Sequence, residues 1–132
     1  MKESELQTSI CEYVKLQYPS VIFNSDLSGI RTSIGLALKI KKLRSSNSIP
    51  DMYLDEPRGG YFGLKIELKI KNIYKKNGDL FKSDHLENQK KMLDRLNEKG
   101  YLALFSIGFD ATKKIIDDYM SLDVTFFEKQ LK

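Results

Sequence analysis

From Leu64 to Lys71 the chain alternates apolar and polar residues without a break: Leu64-Lys65-Ile66-Glu67-Leu68-Lys69-Ile70-Lys71. A period of two belongs to a β-strand whose faces meet different surroundings. It predicts a half-buried strand with Leu64, Ile66, Leu68 and Ile70 toward a core, and Glu67 and Lys69 side by side on the other face. Fifteen residues separate Glu67 from Asp51, which ends the unit Ile49-Pro50-Asp51 and opens a second apolar stretch, Met52-Tyr53-Leu54. Between them, Asp55-Glu56-Pro57-Arg58-Gly59-Gly60 has the Pro and Gly-Gly of a hairpin connection. Pairing of the two strands brings two carboxylates and one ammonium to one spot. Two hard oxygen donors suit Mg²⁺, which prefers a few carboxylates plus waters and substrate phosphate. A lysine beside them can orient a water or meet charge building on a phosphate. Such a set can cut a phosphodiester. A lone Glu-x-Lys fits any solvated strand face; the aspartate after a proline on the neighbouring strand is what narrows the reading.

At 132 residues the chain is expected to form one domain around a single core. Hydrophobic residues make up 41% and charged residues 30%, the balance of a soluble globular protein. No apolar run approaches the roughly 20 residues that span a bilayer. The start, Met1-Lys2-Glu3-Ser4-Glu5, has no apolar signal region. A single cysteine, Cys11, excludes an intrachain disulfide and a cysteine-based zinc cluster. A reducing, cytoplasmic setting is expected, with no membrane partner.

The net charge of +4 is unevenly spread. No acidic residue occurs from Leu27 to Pro50, while Arg31, Lys39, Lys41, Lys42 and Arg44 are basic. A second cluster, Lys65, Lys69, Lys71, Lys75 and Lys76, surrounds Glu67. Both favour a polyanion held by salt-dependent phosphate contacts.

Helical spacing predicts a first helix over 3–17, with Leu6, Ile10, Tyr13 and Val14 on one stripe. Val21-Ile22-Phe23 reads as a strand, and 34–44 as a helix with Leu36, Ile40 and Leu43 inward and lysines outward. The two strands of the hairpin then run to about Ile73. Asp84 is a candidate cap for a third helix, with Glu87 completing a capping box; Lys99 and Gly100 end it. Tyr101 to Ile107 is apolar enough for a central strand, and Ala111 to Met120 forms a fourth helix. The tail, 121–132, holds Leu122, Val124, Phe126, Phe127 and Leu131, which need cover either on the domain 1–120 or on a partner. Helices on both faces of a mixed sheet accommodate this order.

Gln89 shares the stripe of Leu86 and Leu93 on the third helix, and a buried amide needs partners or a task. His85, the only histidine, reads as a solvated helix start. Cys11 reads as a small core or boundary residue.

Taken together, Glu3-Ser4-Glu5-Leu6-Gln7, Ile49-Pro50-Asp51, Gly63 to Lys69, Gln89, Leu96 ahead of Gly100-Tyr101, and Gly108-Phe109-Asp110-Ala111 leading to Ile116 and Tyr119 resemble the virus-type replication-repair nuclease domain (VRR-NUC), a branch of the PD-(D/E)xK nucleases. The resemblance runs from about Glu3 to Tyr119. It implies a restriction-endonuclease-like α/β fold, three αβα layers around a mixed sheet. It also implies Mg²⁺ or Mn²⁺ held by Asp51, Glu67 and the Leu68 carbonyl, with Lys69 catalytic and Gln89 bordering the site. Glu3 or Glu5 would be the first-helix acid. One departure is Ser48, where the family commonly has glycine. The function implied is metal-dependent hydrolysis of DNA, of branched or four-way-junction form, in replication, recombination or repair. Small stand-alone phage and prophage members resemble this layout and imply a homodimer. A sequence-specific restriction-type enzyme and a catalytically idle DNA-binding module remain the alternatives.

Overall fold

The computed structural model describes residues 1–26 and 33–127. Arg31 and Leu131 lie outside the described residues. The elements are α1 (Glu3–Gln17), β1 (Phe23–Ser25), α2 (Ile34–Lys42), β2 (Met52–Leu54), β3 (Leu64–Lys69), α3 (Asp84–Glu98), β4 (Leu102–Ile107) and α4 (Gly108–Met120). Leu6, Ile10 and Val14, one turn apart along α1, are completely buried. They pack with Leu64, Ile66 and Leu68 of β3 and with Ile116 and Tyr119 of α4 in one core. At about 25 cal/mol per Å² of apolar surface, this core is the main force closing the domain.

The sheet order is β1-β2-β3-β4. β1 and β2 are antiparallel, as are β2 and β3, with Met52 opposite Ile66 and Leu54 opposite Leu64. β3 and β4 are parallel, with Glu67 opposite Phe105 and Lys69 opposite Ile107. α1 and α4 cover the face of Leu64, Ile66 and Leu68, and Gln89 of α3 bonds to Glu67 on the other. The domain is therefore a three-layer αβα fold on a mixed sheet, the restriction-endonuclease-like class that the sequence resemblance implies.

Several local expectations are corrected. β3 is not half-buried: Glu67 is only 4% exposed because α3 lies over its face, while Ile70 is exposed because the strand ends at Lys69. The first strand is Phe23–Ser25 rather than Val21–Phe23, since its partner residues Leu54, Tyr53 and Met52 fix the register. α2 ends at Lys42 and buries none of its residues; Leu36 and Leu43, expected inward, are exposed. Ser83, not Asp84, caps α3, its hydroxyl accepting from the Leu86 N–H at 3.3 Å. β4 is an edge strand among the described residues, not a central one. α4 begins at Gly108 rather than Ala111. Gly100 does close α3, with a φ of 101° that only glycine adopts without strain.

The tail follows α4 back along the β2–β3 connection. Gly59 N–H donates to the Asp123 carbonyl at 2.8 Å, and Thr125 N–H to the Pro57 carbonyl at 3.1 Å. Arg58 Nη1 donates to the Met120 and Leu122 carbonyls. Phe127 stacks on Phe62 with ring centres 5.1 Å apart. Even so docked, Phe126 stays 89% exposed.

Candidate active site

Asp51 stands just before β2, one step past the Met52–Ile66 pair, and so arrives beside Glu67. Its Oδ2 accepts from the Leu68 N–H at 2.8 Å, which ties its carboxylate to β3. The Asp51 carbonyl accepts from the Asp26 N–H at 2.6 Å and the Ser25 hydroxyl at 3.2 Å. Gln7 of α1 reaches the same corner, its Nε2 donating to Ser25 Oγ at 2.5 Å and to the Asp26 carbonyl at 2.8 Å. The loop that presents Asp51 is thus fixed from three directions.

Glu67 lies in the centre. Gln89 Nε2 donates to Glu67 Oε1 at 2.8 Å. Gln89 is 6% exposed, and its own Oε1 is buried with no hydrogen-bond partner among the described residues. Glu3, in the first turn of α1, completes a set: one oxygen each from Glu3, Asp51 and Glu67 lies within 4.8 Å of the others. Glu5, the other first-helix acid, is turned elsewhere and accepts from the Lys2 N–H at 3.4 Å. Lys69 follows Glu67 on the same face of β3, half-buried, with Nζ 6.0 Å from the centre of the Phe105 ring. These side chains line a cleft of about 230 Å³ together with Leu68, Asn47, Ile49 and His85.

The electrostatics of the cleft are those of acids pressed together. Burial, then the charge of Asp51, pushes the Glu67 carboxyl up to about 9. Burial also raises Asp51, against the opposing hydrogen bonds from Glu67 and the Leu68 N–H. Glu3 is raised by burial and by Asp51, and lowered by Lys69 and His85. All three acids are desolvated, and the charge of Asp51 opposes ionisation of both Glu3 and Glu67. The donor set, three hard carboxylate oxygens at one end of a small polar cleft, fits a divalent cation of the Mg²⁺ or Mn²⁺ type. Such a cation would relieve the repulsion.

The basic residues read from the sequence are dispersed. Lys39, Lys41 and Lys42 are exposed along α2, and Lys71 is exposed just past β3. Arg44 is turned inward: its side chain is 11% exposed, Nη2 lies 3.5 Å from Asp26 and Nε donates to the Ser46 carbonyl. It anchors the loop that leads to Asp51. His85 and Gln7 are among the cleft residues to which the sequence assigns no role. His85 is exposed, as a solvated helix start should be, but it also lines the cleft. Gln7 lies one turn after Glu3 on α1, a spacing too common to be informative alone.

No family model and no curated protein matches the sequence. A solved structure described as a "VRR_NUC domain protein" matches with a TM-score of 0.67 and 24% sequence identity, over 99% of this chain and 98% of that one. At that identity the likeness shows the fold. The family in its description is the one that the sequence resembles.

Proposed function

We propose that the chain is a metal-dependent DNA nuclease of the VRR-NUC type, acting on branched DNA such as a four-way junction in replication, recombination or repair. The observation that carries this reading is the convergence of Glu3, Asp51 and Glu67 within 4.8 Å, with Lys69 on the same strand face as Glu67. Asp51 and Glu67, with the Leu68 carbonyl and Glu3, would hold Mg²⁺ or Mn²⁺. A cation bound there would supply an activated water and stabilise the negative charge developing on the phosphate oxygens. Lys69 orients the attacking water or meets that charge. Gln89 holds the Glu67 carboxylate in one orientation through its 2.8 Å hydrogen bond. Asp51 is oriented in the same way by the Leu68 N–H.

The DNA would be held in part by Lys39, Lys41, Lys42 and Lys71, whose phosphate contacts carry position rather than sequence. A homodimer suits a junction, since it brings two sites to two strands. The apolar tail, with Phe126 still 89% exposed after docking, supplies surface for it. No helix among the described residues is long and apolar enough to cross a membrane.

Incubating plasmid and four-way junction with the protein, with and without Mg²⁺, tests the reading. Junction cleavage only with the metal supports it. Discrete plasmid fragments favour a sequence-specific enzyme, and binding without cleavage an idle module.

A further inference from the structure

Between Lys69 and α3 the chain forms a small closed hairpin that the proposed chemistry does not use. Tyr74 bridges Leu80 in antiparallel fashion. Lys75 N–H donates to the Asp79 carbonyl at 2.7 Å, and Phe81 N–H to the Ile73 carbonyl at 2.9 Å. Asn77 and Asn72 each accept from a backbone N–H two residues on, at 3.1 Å. Ile73, 6% exposed, anchors the hairpin to the domain. Backbone and side chains together hold its shape, so what it displays is fixed in place.

It displays positive charge. Residues 70–82 contain Lys71, Lys75, Lys76 and Lys82 against a single acid, Asp79. All four lysines are exposed, and among the described residues none forms an ion pair. The lysines within α3 and α4 behave differently. Lys90, Lys91, Lys113 and Lys114 each pair with an acid one turn away. Those helix faces are neutralised; the hairpin is not. Phe81, 46% exposed, sits among its lysines in a groove of about 380 Å³ between the hairpin and the start of α3.

The hairpin is also tied to the cleft at both ends. Lys71 follows Lys69 by two residues and Lys82 precedes His85 by three, and both Lys69 and His85 line the cleft. At 3.8 Å per residue, these lysines start within about 8 and about 11 Å of cleft residues. That is a reach of two or three nucleotides along one strand.

We propose that this hairpin is a DNA-holding finger. Its lysines take the phosphates of the duplex arm next to the cleft, and Phe81 stacks on bases uncovered where that arm ends at a branch. The inference rests on the nuclease reading and specifies how a branched substrate would be told from a linear one. Phosphate contacts would hold any duplex, whereas an aromatic ring gains only where a base face is open.

The test is equilibrium binding of the full chain, without divalent cation, to a four-way junction and to a linear duplex of the same sequence. The Lys75→Glu/Lys76→Glu double variant should bind both DNAs at least tenfold more weakly. Its dependence of log K on log salt should become shallower by about two, close to 0.9 for each phosphate no longer neutralised. Phe81→Ala should keep duplex affinity and bind the junction about tenfold more weakly, the scale of one base stack. Unchanged affinity and salt slope in the double variant, or an unchanged junction-to-duplex ratio in Phe81→Ala, would overturn the inference. Wild-type protein that binds neither DNA and, with Mg²⁺ added, cuts neither would instead overturn the nuclease reading and the finger with it.

Discussion

Gln89 Nε2 donates to Glu67 Oε1 at 2.8 Å, at a point where both side chains are almost completely buried. The bond joins α3 to β3 across the face that carries the acids, and it fixes which way the Glu67 carboxylate points. Gln89→Ala should keep the fold and raise the Mg²⁺ concentration for half-maximal cleavage by about 10- to 100-fold, the usual effect of losing an orienting partner of a metal ligand. A metal dependence equal to wild type would show that Glu67 needs no such support.

The crowding of the acids has a consequence for pH. Glu67, held near 9 by burial and Asp51, keeps a proton in the fold that the unfolded chain releases above its ordinary value of 4.5. Metal-free stability should therefore fall as pH rises from about 4.5 to about 9 and flatten beyond. Glu67→Gln removes that penalty, so at pH 8 its Tm should exceed wild type by about 5 °C or more while cleavage is lost. Because the cation must displace protons, its apparent affinity should rise over the same range. Thermal melts of both proteins at several pH values check the sign; a wild-type Tm that climbs from pH 5 to 9 without metal would contradict it.

The lysines of α2 offer a cleaner charge test than Arg44, whose guanidinium is taken up by Asp26 and the Ser46 carbonyl. Replacing Lys39, Lys41 and Lys42 together by Ala should weaken binding to every DNA alike and flatten its salt dependence. Stability should be nearly unchanged, because α2 has no buried residue. Unaltered dissociation constants at low salt would remove α2 from the DNA path.

Light scattering at micromolar concentration should give twice the 15.3 kDa chain mass. Phe126→Asp should shift the protein toward monomer, since this ring is 89% exposed on the docked tail. A 15.3 kDa species at all concentrations would leave the tail as a purely intramolecular strap.

Much of the architecture is legible in the sequence because it rests on local periodicity. The stripe Leu6-Ile10-Val14 and the alternation from Leu64 to Leu68 both report which face meets the core, and both of those faces are buried. What the sequence hides depends on distant partners. The alternation cannot reveal that α3 covers the second face of β3; the only local trace is Gln89, a polar residue on a buried stripe. The start of β1 follows from pairing with β2, and the edge position of β4 from sheet order, neither of which is encoded in the strand itself. α2 misleads because its leucines have helical spacing but the fold offers them no surface. In the cleft, Asp51 and Glu67 stand out through their strand context, while His85 and Gln7 arrive there through the packing of α3 and α1.

The most direct test is cleavage of a labelled four-way junction by wild type and by Asp51→Ala, Glu67→Ala and Lys69→Ala, each with Mg²⁺ and with chelator. Wild type should cut only with the metal. Each variant should lose about 10³-fold or more while still binding the junction; Asp51→Ala and Glu67→Ala should bind as tightly as wild type or tighter, because removing a carboxylate lessens repulsion of phosphate. Wild-type turnover in any of the three variants, or cutting that persists in chelator, would contradict a metal-dependent site at these residues.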